Sequence, residues 1–164
     1  MNIEMIFMIL KIIGSIILTL SGVAFALSLC RYQRKKLVTI DGFISLIRHI
    51  KGQIDCYARP IGDILLTLPP EIYHDCNCSE GAESLEFMID ESKIYLEDEP
   101  LRLLRSFSCE FGSTFREEQL RRCDYYISAL AEKRGQLERM VEMRSRAGSA
   151  LWICGVLSLT ILLW

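Results

Sequence analysis

Hydrophobic residues are concentrated at the two ends of this 164-residue chain, while the part between them has the charge density of a water-soluble protein. The first apolar run, residues 12–29, contains no ionisable side chain. A helix of eighteen residues is about 27 Å long, close to the hydrocarbon thickness of a bilayer. The last run, residues 147–164, is equally long but begins with four weakly apolar residues. We predict transmembrane helices within residues 1–30 and at residues 147–164.

Two alternatives account for parts of this pattern. A buried core helix is the ordinary reading of an apolar run, but the middle region is too short to enclose both runs. A cleaved signal peptide is the second alternative, since Lys11, the apolar stretch after it and the small residues Ala24 and Ala26 imitate its three parts. Cleavage there would export the middle region. The basic residues that follow Ala26 argue against export of the middle region, because clusters of basic residues resist translocation.

Basic residues lie beside both apolar runs, on the side that faces the middle region. Clustered lysines and arginines stay on the cytoplasmic side of a membrane segment. We therefore predict a cell-membrane protein whose central domain is cytoplasmic and whose two termini lie outside. The residues that set this topology are Arg31, Arg34, Lys35, Lys36, Arg144 and Arg146. The seven cysteines, an odd number, are typical of reduced thiols and not of a disulfide framework.

The middle region, residues 31–146, shows helical periodicity and no alternation of period two. Its first amphipathic helix carries apolar residues at steps of three and four, namely Ile40, Phe43, Ile44, Ile47, Ile50, Ile54 and Tyr57. A short helix that stops at Pro69, a loop at residues 71–81, a helix through residues 85–89 and a helix after Asp98 follow. The predicted fold is all-α, a compact cytoplasmic helical bundle between two transmembrane helices.

The final helix has the clearest signals. Thr114 and Glu117 form a predicted capping box, in which each side chain accepts the other residue's free backbone N–H. Apolar residues then recur along a helix seam at Leu120, Cys123, Ile127, Leu130, Leu137 and Val141. Arg134 stands at the one missed position. No proline interrupts the chain beyond Thr114, so we expect this helix to continue into the last apolar run.

Acidic residues are concentrated in residues 71–99, which hold ten Asp or Glu against the single Lys93, a net charge of −9. With the basic clusters beside the apolar runs, this predicts a domain that is basic near the lipid and acidic away from it. Any charged partner of the acidic side should be basic, although a solvated acidic surface fits the pattern equally. The candidate partner-facing residues are Glu97, Asp98, Glu99, Glu117 and Glu118.

Sequence motifs for catalysis are missing: the chain has no phosphate-binding glycine loop with a lysine, no nucleophile elbow and no zincin histidine pair. His74, Cys76 and Cys78 offer ligand types that suit zinc, but C-x-C without a second pair is a poor zinc spacing. A flexible acidic loop with incidental thiols is the simpler interpretation. The sequence therefore predicts a non-enzymatic protein with no catalytic residue, cofactor or metal, and with no nucleic-acid partner.

The order of these elements resembles the stage III sporulation protein AB family of endospore-forming bacteria, and the resemblance covers essentially the whole chain. In that family a P-L-x-x-A-L-like stretch after an aromatic or small residue ends the first cytoplasmic helix, matched here by Tyr57, Pro60, Ile61, Ile64 and Leu65. A G-x-S-D-x-x-x-Q-like stretch opens its last helix, matched by Gly112, Thr114 and Gln119. Phe115 is a departure, because the family usually has aspartate there.

The resemblance implies a function as well as a fold. The family looks like one half of the cytoplasmic helical domain of F-type platform proteins, and it is encoded with a secretion-type ATPase and channel-forming ring proteins. It implies a non-enzymatic inner-membrane scaffold on the mother-cell side of the channel between mother cell and forespore. The scaffold would link the ATPase to the membrane channel components. The alternative is a two-span adaptor that homodimerises through residues 120–141, without an ATPase partner.

Overall fold

The computed structural model describes the backbone of residues 3–57, 61–82, 84–111 and 115–163. It describes side chains at residues 11–17, 19–56, 63–82, 84–111, 115–143 and 155. Every regular element in these ranges is helical, which confirms the predicted all-α class. The helices are α1 Ile3–Tyr57, α2 Ile61–Leu66, α3 Pro70–Cys76, α4 Leu85–Ser92, α5 Asp98–Glu110 and α6 Arg116–Leu163, and a 3₁₀ turn follows α4 at Lys93–Tyr95.

The chain divides into two compact units. One comprises Met1–Gln33 together with Arg139–Trp164, and the other comprises Arg34–Glu138. Helix α1 contains no proline in its 55 residues, so no residue in it lacks the backbone N–H that the helix needs. The apolar run and the first amphipathic segment are therefore parts of one helix.

Helix α1 supplies the largest share of the core of the unit Arg34–Glu138. The six described positions of its predicted apolar stripe are all buried, namely Ile40, Phe43, Ile44, Ile47, Ile50 and Ile54, while the side chain of Tyr57 lies outside the described residues. Leu46 and Thr39 are buried as well, with at most 1% of their surface exposed. The buried surface of α1 is thus wider than one stripe, because other helices contact it on more than one side.

Helices α1 and α6 run antiparallel within this unit. They are joined by three ion pairs: Asp41 with Arg134 at 2.9 Å, Lys51 with Asp124 at 2.6 Å and Asp55 with Arg116 at 2.8 Å. The residue numbers rise along α1 as they fall along α6. Because these side chains are at least one-third exposed, the pairs contribute little to stability, and their main effect is to specify the register of the two helices.

The prediction of a loop at residues 71–81 is wrong for its first half, where the structure has helix α3. Pro69 and Pro70 do end the preceding segment, but Pro70 is also the first residue of α3, a position where its missing N–H costs nothing. Tyr73 and Cys76, three residues apart, are buried on one side of the new helix. Asn77 ends it in the left-handed conformation, with φ of 57°.

Glycine is required where α1 meets α3. A Cβ on Gly42 would lie 2.6 Å from the carbonyl carbon of Asp75 and 2.7 Å from the backbone nitrogen of Cys76. Real side chains do not approach backbone atoms so closely, so only glycine fits without displacing a helix. This close contact places the end of α3 directly against the middle of α1.

The other predicted helices are present. Helix α4 covers the predicted segment at 85–89, and α5 begins at Asp98, where a helix was expected, and buries Leu104 and Phe107. Ser84 caps α4 by accepting a hydrogen bond from the N–H of Phe87 at 3.2 Å. Helix α5 packs beside α6 through an edge-to-face contact between Phe107 and Tyr126, whose ring centroids are 5.3 Å apart.

Candidate interaction groove and membrane segment

The first apolar run exposes its side chains. Ile16, Leu20 and Phe25 have 52%, 65% and 67% of their surface exposed. Within the described part of the chain, one helix is long and apolar enough to cross a membrane by its length and composition, the stretch Lys11–Cys56 of α1. None of its most apolar window is buried, unlike the core helix of a soluble protein, whereas a signal sequence near the N-terminus would meet the same criterion.

The last apolar run continues α6, which ends at Leu163, so the predicted continuity of the final helix is confirmed. Apart from Gly155, the side chains of this run lie outside the described residues, and the second transmembrane helix stays a prediction. Among the residues that the structure describes, a Cβ on Gly155 or Gly14 would have no neighbour within 4 Å.

The predicted topology-setting residues of α1 lie directly after the apolar run. Arg31, Arg34 and Lys35 are exposed. Lys35 also lies over the ring of Tyr95, with its Nζ 5.0 Å from the ring centroid. Lys36 is less exposed and forms an ion pair with Glu97 at 3.2 Å. The other two predicted residues, Arg144 and Arg146, have side chains outside the described residues.

The predicted separation of basic and acidic charge is wrong at one point, because Glu97 at the end of the acidic segment lies against Lys36. Two more of the candidate partner-facing carboxylates are paired within the domain. Glu99 forms an ion pair with Lys133 of α6, and Glu118 pairs with the arginines three and four residues along the same helix. The remaining two candidates, Asp98 and Glu117, are exposed in the first turns of α5 and α6.

The helix seam faces the interior of the domain. Cys123, Leu130 and Leu137 are buried, and the other three seam residues, Leu120, Ile127 and Val141, are half-buried. Arg134 interrupts the seam because its guanidinium reaches Asp41 of α1 at 2.9 Å and Glu138 at 2.6 Å. Of the predicted capping box, Glu117 lies in the first turn of α6, while Thr114, like Gly112, lies outside the described residues.

An open groove runs between α5 and α6. Its deeper part has a volume of about 620 Å³ and is lined by Leu103, Ser106 and Glu110 of α5 and by Glu118, Arg121, Arg122, Tyr125 and Tyr126 of α6. A second depression of about 310 Å³ shares Leu103 and Ser106 and extends to Glu99, Arg102 and Lys133. Two acidic residues singled out in the sequence, Glu99 and Glu118, therefore line one continuous surface.

The charged groups of the deeper part are fixed by mutual hydrogen bonds. Arg122 donates from Nε to Glu118 at 3.3 Å and from NH1 to the side chain of Glu110 at 3.4 Å. The hydroxyl of Tyr126 donates to the same Glu110 carboxylate at 3.1 Å. Burial, followed by this bond to a carboxylate, raises the pKa of Tyr126 to about 12. The groove thus has a preorganised polar wall.

Aromatic rings connect the groove to the domain core. The rings of Phe111, Phe107, Tyr126 and Tyr125 form a chain with centroids 4.8, 5.3 and 5.1 Å apart. Phe107 and Tyr126 are buried, whereas Tyr125, at the end of the chain, is 63% exposed. Sequence reasoning missed this surface, since Tyr125 lies off the seam of α6 and looks like an ordinary solvent-facing residue. Only the position of α5 shows its role.

The weak zinc candidates are not brought together. His74 is exposed, whereas Cys76 is fully buried, and burial raises the pKa of its thiol. The thiol of Cys78 lies 3.0 Å from the hydroxyl of Ser92 and 3.2 Å from the carbonyl oxygen of Met88. Among the residues that the structure describes, no group of three or more His, Cys, Asp or Glu could hold a metal ion.

Cys78 instead belongs to a buried polar contact between α3 and α4. The hydroxyl of Ser92, a residue with no exposed surface, lies 2.6 Å from the carbonyl oxygen of Cys76 and 2.7 Å from that of Met88. A buried carbonyl group needs such a donor when it lies at a helix end. Ser92 was not predicted from the sequence, because a lone serine in an amphipathic helix gives no signal.

Comparisons with known proteins identify no relative of this chain: no family model, no curated protein and no solved structure matches it.

Proposed function

We propose that the protein is a membrane-anchored scaffold in which the helical unit Arg34–Glu138 holds protein partners at the bilayer surface. One observation carries this proposal: the exposed apolar run at residues 12–29 belongs to the same helix, α1, that supplies the largest share of the core of that unit. An apolar helix of this length is stable in a bilayer and costly in water. Because the apolar run and the core residues of the domain belong to one helix, a domain of this kind stays at the membrane surface when the run lies in the bilayer.

The partners come from the resemblance to the stage III sporulation protein AB family. They are a cytoplasmic secretion-type ATPase and the membrane channel or ring proteins of the apparatus that joins mother cell and forespore. In this proposal the protein has no catalytic step, the central unit is cytoplasmic and both termini lie outside. A close-packed helical unit moves as a body, so it can pass a displacement from the ATPase to membrane partners.

The groove between α5 and α6 is the surface that we assign to a protein partner. Tyrosine and arginine are enriched among the residues that dominate binding energy at interfaces, and both line the groove at Tyr125 and Arg121. The fixed network around Glu110 lowers the cost of binding, because these side chains are already ordered. Glu99 and Glu118 would then act as rim residues.

A homodimer through residues 120–141 is supported less well. Three of the six seam residues, Cys123, Leu130 and Leu137, are already buried within one chain, which leaves only the half-buried Leu120, Ile127 and Val141 for such a contact. A dimer could use only the outer side of α6, where the groove lies. Sedimentation of the full chain in detergent separates the two proposals: a stable dimer that is lost in Ile127→Lys would favour the homodimer.

The coupling proposal is tested by copurification of the secretion-type ATPase with the full-length protein from solubilised membranes. We expect Tyr125→Ala and Arg121→Glu to weaken retention at least thirtyfold, the effect of losing about 2 kcal/mol of binding energy. Phe87→Ser is the matched control, because Phe87 is 51% exposed but lies on α4, away from the groove. Failure of the wild-type protein to retain the ATPase would refute the coupling.

A further inference from the structure

The 3₁₀ turn Lys93–Tyr95 is connected to the first residues of α1 after the apolar run. The ring of Tyr95 lies 5.0 Å from the Nζ of Lys35, and Glu97, two residues after the turn, is paired with Lys36. The connection between α4 and α5 is therefore held against α1 at Lys35 and Lys36. Both contacts lie within the unit Arg34–Glu138.

Chain connectivity limits how far this turn can be from a bilayer. Lys35 follows the end of the apolar run at Leu29 by six residues, which span about 9 Å in a helix and at most about 21 Å when fully extended. The polar zone of each leaflet is roughly 5–8 Å thick. Because α1 is helical through these residues, a membrane span at residues 12–29 would place Lys35 about 9 Å along the helix from the end of the span, next to the headgroup zone.

The side chains of the turn suit that zone. Ile94 is 66% exposed and Lys93 is exposed beside it. A single exposed isoleucine is ordinary at a protein surface. Here, however, it is accompanied by a lysine and by Tyr95, and an apolar side chain flanked by tyrosine and basic residues is the composition that membrane interfaces favour.

Two exposed lysines, Lys93 in the turn and Lys35 on α1 beside Tyr95, are available to an anionic surface. Lys93 is the only Lys or Arg in the segment 71–99. The nearest carboxylate after the turn, Glu97, is neutralised by Lys36. The carboxylate of Glu91, before the turn, is directed to Ser79, from which it accepts hydrogen bonds at 2.7 and 2.9 Å. Asp98 remains as an exposed carboxylate in the first turn of α5.

We propose that the 3₁₀ turn Lys93–Tyr95 is a second kind of membrane contact of the protein, beside its proposed membrane-spanning helices, which docks on an anionic lipid surface through Lys93 and Ile94. This inference rests on the membrane anchoring proposed above. It adds a function for the turn: a contact on the domain itself sets the orientation of the domain toward cytoplasmic partners. The acidic segment 71–99 would thus contain its own basic docking point.

The test uses the full-length protein in bilayers that contain a photoactivatable phospholipid, with crosslinked lipid assigned to peptides by mass spectrometry. One set of bilayers contains phosphatidylglycerol and phosphatidylcholine, the other phosphatidylcholine alone. Peptides from residues 12–29 report on the anchor. The peptide containing Phe115 is the negative reference, because Arg116 pairs with Asp55, about 30 Å along α1 from Lys35.

We expect crosslinking at Ile94 in the anionic bilayers and none at Phe115. Lys93→Gln should reduce it about fivefold in anionic bilayers and leave it unchanged in phosphatidylcholine, the effect of one basic charge at such a surface. Ile94→Ser should reduce crosslinking at position 94 about tenfold in both sets of bilayers, because the bilayer no longer buries roughly half of an isoleucine side chain. Phe115→Ser, which removes an apolar group that is even more exposed, should change nothing.

Crosslinking at residues 12–29 without crosslinking at Ile94 would overturn the second contact and leave the anchor intact. Equal crosslinking at Ile94 in both lipid sets would overturn the anionic preference. If residues 12–29 themselves fail to crosslink, the membrane anchoring is wrong. If Ile94 does not crosslink to lipid but Ile94→Ser releases a copurifying channel protein, the turn contacts protein and the lipid proposal is overturned.

Discussion

Replacing Gly42 by alanine should separate α1 from α3. The new Cβ would lie 2.6, 2.7 and 2.9 Å from three backbone atoms of Asp75 and Cys76. Ordinary contacts of this kind begin near 3.4 Å, so the helices must move apart by almost 1 Å. Backbone atoms cannot rotate away as the tip of a side chain can, and such overpacking costs about 1–3 kcal/mol.

Gly52→Ala is the matched control, because Gly52 lies ten residues further along the same helix and a Cβ there would have no neighbour within 4 Å. Both substitutions gain about 1 kcal/mol from the higher helix propensity of alanine. Gly52→Ala should therefore stabilise the protein by about that amount, whereas Gly42→Ala should be neutral or destabilising by up to about 2 kcal/mol. The difference between the variants isolates the steric cost.

The assay is the alkylation rate of Cys76 in the full-length protein in detergent, measured peptide by peptide. Cys76 is fully buried at the contact, so its thiol reacts only after α3 opens locally. Gly42→Ala should react about 5 to 150 times faster than Gly52→Ala, which corresponds to 1–3 kcal/mol. Cys56 is exposed and should react equally in both. Equal rates at Cys76 would refute the close contact between α1 and α3.

Three further predictions concern the same domain. Ser92→Ala should destabilise it by about 1–3 kcal/mol in chemical unfolding followed by circular dichroism, because the buried carbonyl of Cys76 loses its hydroxyl donor and keeps only the weaker thiol of Cys78 at 3.4 Å. Arg134→Met should cost less than about 1 kcal/mol, and the loss should shrink at high salt, since the pair with Asp41 is partly exposed. Burial raises the pKa of the Cys123 thiol from 9.0 to about 11. The neutral thiol therefore contributes to the stability of the folded state below pH 9, and this contribution is lost as the pH rises to 11. Cys123→Ala should flatten the fall in melting temperature over that interval, and an unchanged slope would contradict the assignment.

The core of α1 was predictable from the sequence, but its full extent was not. Steps of three and four identify one stripe of a helix, which includes Phe43 and Ile47. Gly42 and Leu46 lie beside that stripe, and they are buried because α3 and α6 both pack against α1. Periodicity reports one buried face, so it underestimates a helix that is enclosed by several neighbours.

Helix α3 and the groove were missed for different reasons. In the sequence, Pro69 and Pro70 indicate the end of a helix, although Pro70 starts the next helix as readily as it ends the previous segment. The groove depends on where α5 lies against α6, which is set by the contact between Phe107 and Tyr126. Tertiary packing of this kind leaves no short-range pattern in the sequence, so Tyr125 could not be distinguished from a surface residue.

The central claim is that residues 12–29 anchor the protein and keep the helical unit in the cytoplasm. Native cysteines test it directly, because Cys56 and Cys109 are exposed in that unit while Cys76 is buried. Intact cells producing the full-length protein are treated with a membrane-impermeant maleimide before and after permeabilisation. We predict labelling of Cys56 and Cys109 only after permeabilisation, on a membrane-bound chain whose mass includes residues 1–26. Labelling in intact cells, or a chain shortened at its N-terminus, would contradict the account.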